Sequence, residues 1–102
     1  MRVSDLEVAR RFYVRALAAL EFADPYFGGH FFEWDDLSIS RAHADRPVTR
    51  GLHVALVAPS RRHVDEFWRA LTAAGHRDDG APGLRPQYRP EYYGAFVLDP
   101  DG

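Results

Sequence analysis

Apolar positions change their spacing several times along this 102-residue chain, and each change marks an element. Leu6, Ala9, Phe12, Tyr13, Ala16, Leu17 and Leu20 recur at steps of three and four, the spacing of one helical face. Ser4 and Glu7 have the separation of a capping box, with Val3 and Val8 placed as a hydrophobic staple across it. The pattern predicts a helix from near Asp5 to near Leu20, ended before Pro25. The period then falls to two. Phe31-Phe32-Glu33-Trp34 and Leu37-Ser38-Ile39-Ser40 flank Asp35-Asp36 and read as a β-hairpin, followed by a polar connector over residues 42–50 that carries Pro47.

The second half opens with Gly51-Leu52-His53-Val54-Ala55-Leu56-Val57, a nearly continuous apolar run that predicts a buried strand. His53 is its one polar side chain. Pro59-Ser60 supplies a turn and an N-cap, and Val64, Phe67, Trp68, Leu71 and Ala74 then repeat at helical spacing until Gly75. Residues 79–90 hold three prolines and two glycines, which predicts a long loop rather than a helix or central strand. Residues 92–98 read as a last strand, closed by the turn Asp99-Pro100-Asp101-Gly102.

The two halves repeat. Arg15-Ala16-Leu17-Ala18-Ala19 aligns with Arg69-Ala70-Leu71-Thr72-Ala73, and each helix leads into an aromatic, hairpin-like segment and an Asp-rich turn. Against that repeat, Ser4 has only three residues before it, and the turn at 99–102 leads nowhere, so a first and a last strand are missing. Open sheet edges of that kind favour oligomerisation or strand exchange, with a homodimer as the simplest form; alternatively, the segment is a fragment of a longer protein.

Composition narrows the chemistry. Hydrophobic residues make up 46% and charged residues 27%, as in one globular domain, and no apolar run is long enough to cross a bilayer. Thirteen basic residues against 15 acidic give a net charge of -2 with no basic tract, which argues against nucleic acid as a partner. There is no cysteine, so disulfides, thiolate nucleophiles and thiolate metal sites are excluded, and a cytoplasmic location is expected. Every basic residue is Arg, which removes Schiff-base chemistry.

Specific residues carry a family resemblance. Val3-Ser4-Asp5-Leu6-Glu7 through Arg11-Phe12-Tyr13, then Gly51-Leu52-His53-Val54-Ala55, then the run from Tyr92 to Gly102, resemble the vicinal oxygen chelate superfamily. Its members include glyoxalase I, extradiol dioxygenases, fosfomycin resistance proteins and bleomycin resistance proteins. Residues 80–88 are similar to a glyoxalase-like group within it. The resemblance implies an α+β fold in which two βαβββ modules, about 1–46 and about 50–102 of a single domain, form a curved mixed sheet around a cleft. It also implies a divalent metal, Zn, Ni, Fe or Mn, held by His or Glu side chains while two substrate oxygens complete the coordination. Only His53 stands at a family ligand position. The first-module ligand would precede Met1, the last carboxylate would follow Gly102, and the remaining position falls on Ser38 or Ser40.

Several residues are candidates for work in that cleft. Alternation puts His53 with Ala55 and Val57 on the cleft side, as a metal ligand or as a hydrogen-bonded core imidazole. The same alternation gives Tyr93, Ala95 and Val97 a cleft position if Phe96 and Leu98 pack on a helix, making Tyr93 the candidate proton donor. Arg85 and Tyr88 on the Pro-rich loop, with Tyr92 and Trp34, are candidate substrate contacts. Glu33 is expected in solvent, as are His30, His43, His63 and His76. The expected function is a glyoxalase-like lyase, isomerase or dioxygenase using a divalent metal on a small molecule with adjacent oxygens. The rival is a bleomycin-resistance type of protein that sequesters a drug or metabolite in an aromatic cleft, and a third reading is a module for dimerisation or regulation alone.

Overall fold

The computed structural model describes residues 1–102 as two modules joined side by side. Module one opens with strand β1 (Arg2–Val3), followed by helix α1 (Leu6–Ala19), β2 (Tyr26–Phe27), β3 (Phe31–Trp34) and β4 (Leu37–Arg41). The strands form one sheet in the order β1-β4-β3-β2. The expected hairpin is there, with Trp34 opposite Leu37 across Asp35-Asp36 and Phe32 opposite Ile39. The first strand, expected to be missing, is present as a stub: Arg2 and Val3 run parallel to β4 opposite Ser40 and Arg41.

Asp5, not Ser4, caps α1. Its carboxylate accepts from the Glu7 and Val8 N–H groups, both at 3.0 Å, placing a negative charge at the positive end of the helix. Ser4 is thereby released, and its N–H and hydroxyl both donate to the Asp101 carboxylate in the closing turn of module two. The far end of α1 is a Schellman motif, with Glu21 N–H donating to Ala18 and Phe22 N–H to Leu17. Glu21 takes the left-handed conformation there, φ 68°, the one non-glycine residue to do so.

Module two departs further from expectation. Residues 51–57, expected as a buried strand, form none, and Leu52, Val54 and Val57 are 55%, 41% and 88% exposed. β1 holds its conformation because β4 lies beside it, whereas no strand lies beside 51–57 to take up its backbone hydrogen bonds. Helix α2 (Arg61–Ala73) is as predicted, capped by Ser60 and closed by a second Schellman motif at Gly75, φ 94°. The predicted loop at 79–90 is in part a strand: β5 (Asp78–Leu84) pairs antiparallel with β6 (Tyr93–Val97). Pro82, Gly80 and Gly83 are accommodated because β5 pairs on one side only and shifts register twice, between Asp78 and Gly80 and between Gly80 and Gly83.

The core sits where α1 crosses the first sheet and meets α2. Val3, Ala9, Phe12, Tyr13, Ala16, Leu17, Phe32, Ile39 and Leu71 form one buried cluster. The modules are tied beside it. The Tyr13 hydroxyl donates to Asp99 at 2.6 Å, Ser4 holds Asp101, and Arg2 and Thr49 exchange hydrogen bonds. No helix is long and apolar enough to cross a membrane.

Candidate functional site

Strand alternation decides which side chains face the open side of each sheet. On β6 the order is the reverse of the expected one. Val97 packs against the core cluster, and the Tyr93 hydroxyl, on the same side, donates to Asp65 of α2 at 2.6 Å under the Arg61 guanidinium. The hydrogen bond to that carboxylate pushes the Tyr93 phenol above its ordinary range. Phe96, expected against a helix, instead lies on the opposite side of β6, beside Arg85 and His53.

Around Phe96 two groups gather. The Arg85 guanidinium lies over its ring at 5.5 Å, and His53 meets it edge-on at 5.7 Å. Arg85 is held by the carbonyl of Ala81, accepting at 2.7 Å, rather than by any carboxylate. Room for it comes from two glycines, since a Cβ on Gly80 or Gly83 would stand 3.2 or 3.1 Å from its nitrogens. A third glycine does the same for Tyr92, whose ring would be 3.0 Å from a Cβ on Gly94. Tyr92 stacks edge-on with Tyr88 at 5.1 Å and carries Arg89 over its ring at 5.4 Å. Arg85 and His53 thus gather at Phe96, while Tyr88 and Tyr92 pair with each other on the turn after β5. Trp34 does not join them, because its indole N–H donates to the Ala23 carbonyl at 2.8 Å and its ring packs on buried Phe32.

The open side of module one carries a different surface. Phe31 and Glu33 of β3, Ser38 and Ser40 of β4, and Arg2 of β1 line a cavity of about 660 Å³. Glu33 was expected in solvent, and the pairing Glu33 to Ser38 and Phe31 to Ser40 turns it inward over the sheet.

This fold has a counterpart among solved structures. The crystal structure of a glyoxalase/bleomycin resistance protein from Albidiferax ferrireducens T118 superposes with a TM-score of 0.83 and 28% sequence identity, over 100% of this chain and 88% of that one. That neighbour matches the vicinal oxygen chelate superfamily that the sequence resembles, and the chain shares its fold. Comparison with family models finds no match, and neither does comparison with curated proteins.

Within the superfamily frame, the metal position can be tested on the donors present. His53 stands against Phe96, the serines at 38 and 40 offer only neutral hydroxyls, and no three His, Asp or Glu side chains converge anywhere in the chain. The donor set does not fit a chelated divalent ion. Phe96 is the residue that sequence reasoning misplaced, and Gly80, Gly83 and Gly94 were the available signal. They leave one face of β5 and β6 bare for side chains arriving from elsewhere.

Proposed function

We propose that this protein binds a planar, negatively charged small molecule on the open face of module two and sequesters it without transforming it. The observation that supports this reading is Arg85: a guanidinium over an aromatic ring, anchored by a carbonyl and forming no ion pair, has charge left for a ligand. Phe96 supplies a stacking surface, His53 closes one side, and Tyr92 and Tyr88 with Arg89 extend the surface along the neighbouring turn. A carboxylate or phenolate on an aromatic ring matches that arrangement, with the ring on Phe96 and the anion at the Arg85 nitrogens. The rival reading, a metal-dependent lyase, isomerase or dioxygenase, rests on His53 alone. A homodimer goes with the proposal, because a second copy covering the exposed segment 51–57 would enclose the face.

Titration calorimetry against a panel of aromatic carboxylates tests it. Arg85→Gln and Phe96→Ala are each expected to weaken the best ligand about tenfold or more, the loss of a charge-assisted hydrogen bond or a ring contact. Equal affinity in both variants would remove the face from consideration. Stoichiometric binding of Zn, Ni, Fe or Mn that is lost on His53→Ala would favour the metalloenzyme instead.

A further inference from the structure

On the helix side of the molecule, away from the sheet faces, three side chains meet in an order that the binding reading does not use. The Ser60 hydroxyl lies 2.7 Å from Nδ1 of His63, and Nε2 of the same ring lies 3.2 Å from the Glu21 carboxylate. With Glu21 accepting, Nε2 carries the ring hydrogen and Nδ1 is left to accept from the serine. His63 is largely buried, 14% exposed at its side chain, while Ser60 is exposed. The imidazole is therefore held in place and the hydroxyl is open to a reactant.

A cap serine beside an imidazole three residues on is local helix chemistry, but the carboxylate is not local. It comes from the end of α1, at the left-handed position of the Schellman motif. The matching position in module two is Gly75, the residue such a turn favours. Module one keeps a glutamate there against the steric preference of the backbone, and its carboxylate lands on His63. Beside Ser60, the Arg61 and Arg62 N–H groups of the first turn of α2 have no partner in the fold and stand as donors for an oxyanion. Phe22, 42% exposed, follows Glu21 in the chain and offers apolar surface beside it.

We propose that Ser60, His63 and Glu21 form a hydrolytic site for short carboxylic esters. Ser60 Oγ bonds to the ester carbonyl carbon as its proton passes to His63 Nδ1. The carbon to alkoxy-oxygen bond then breaks, and the leaving alcohol takes that proton. Water attacks the acyl-serine in turn, giving its proton to Nδ1, and the freed Ser60 oxygen recovers it as the carboxylic acid departs. Glu21 is a positioning residue that holds the tautomer and stabilises the imidazolium.

The test is p-nitrophenyl acetate with the full chain, following nitrophenolate release and acetylation of the peptide bearing Ser60 by mass spectrometry. Ser60→Asp keeps a strong helix cap while removing the nucleophile and is expected to abolish acetylation at that site. His63→Gln and Glu21→Gly are expected to slow it on the order of 10²-fold. Glu21→Gly relieves the backbone, so the expected pairing of a slower reaction with an equal or higher melting temperature separates a role in the chemistry from one in stability. An unmodified Ser60, or release by Ser60→Asp as fast as by the parent, overturns the site. An unchanged rate in Glu21→Gly overturns the assignment of the glutamate.

Discussion

The two modules carry similar hydrophobic patterns and bury them unequally. Nine of the ten buried apolar side chains belong to module one, and Leu71 alone comes from module two. The contrast is sharpest between β1, which has two residues, and segment 51–57, which has seven. Val3 is 1% exposed, whereas Leu52, Val54 and Val57 are 41% to 88% exposed. Hydrophobicity favours 51–57, and burial favours β1. The difference lies in the ladder: β4 satisfies the backbone of β1 and fixes its side chains under α1, and 51–57 has no such neighbour. A strand is a property of a pair.

The largest effect should follow from cutting into the better packed module. Phe32→Ala, at 1% exposure in the centre of the core, is expected to cost about 3–5 kcal/mol by chemical denaturation. Val54→Ser is expected to stay within about 0.5 kcal/mol, as at an exposed position. A loss above about 2 kcal/mol at Val54 would break the comparison, showing that in solution another surface covers 51–57.

The seam between modules comes next. Tyr13 is buried and its hydroxyl donates to Asp99, while burial and that bond together push its ionisation well above the ordinary phenol range. Tyr13→Phe removes a hydrogen bond to a charged acceptor and should cost about 1.5–3 kcal/mol in denaturant melts. If the modules unfold as one body, the transition stays single. A split transition would show that the seam, rather than the shared core, couples them.

Much of this architecture could be read from residue spacing. The helices and the 31–41 hairpin follow from periodicity, because each is settled by local geometry and one amphipathic face, and the α+β fold follows from the family resemblance. What periodicity could not give was pairing. It assigned 51–57 to a strand because the run is apolar, and it denied 78–84 a strand because Pro82 and Gly80 are poor in central strands, although they are tolerated at an edge that shifts register. The site suffered from the same blindness. Arg85 and His53 lie against Phe96 and Tyr88 pairs with Tyr92, but Phe96 and Tyr93 exchanged faces, since one residue of phase inverts a strand. The cap fell on Asp5 rather than Ser4, and Ser4 instead bonds Asp101 at the other end of the chain.

The ends of the two helices allow a finer comparison. Both close with the same motif, Leu17 and Leu71 each accepting from the residue after the left-handed position. Gly75→Ala should cost about 1 kcal/mol, since its φ of 94° strains any side chain even though space is free around it. Glu21→Gly should gain up to about 1 kcal/mol for the mirror reason. Equal and opposite shifts in thermal melts would mark the motifs as equivalent. A loss on Glu21→Gly would mean that the contact with His63 outweighs the backbone strain.

The smallest expected effects are those of pH, and two groups of module two illustrate them. His76 follows Gly75, its ring edge-on to Phe12 at 4.7 Å, and partial burial, assisted by Arg15, holds its protonated form below the ordinary value of 6.5. The unfolded chain takes up that proton first, so stability from this group is complete above about pH 6.5 and declines as the pH falls through and below it. Asp78 titrates in a separate, lower window. The Trp68 indole N–H and the Gly80 N–H hold its carboxyl below the ordinary 3.8, so its contribution persists until the pH falls past that value. Denaturant midpoints between pH 8 and pH 3 should therefore fall in two modest steps. His76→Gln is expected to flatten the upper step and leave the lower one, and Trp68→Phe to weaken the lower step alone. If His76→Gln leaves the upper step intact, the titrating group lies elsewhere, and the packing of His76 on Phe12 joins the modules without making their union sensitive to pH.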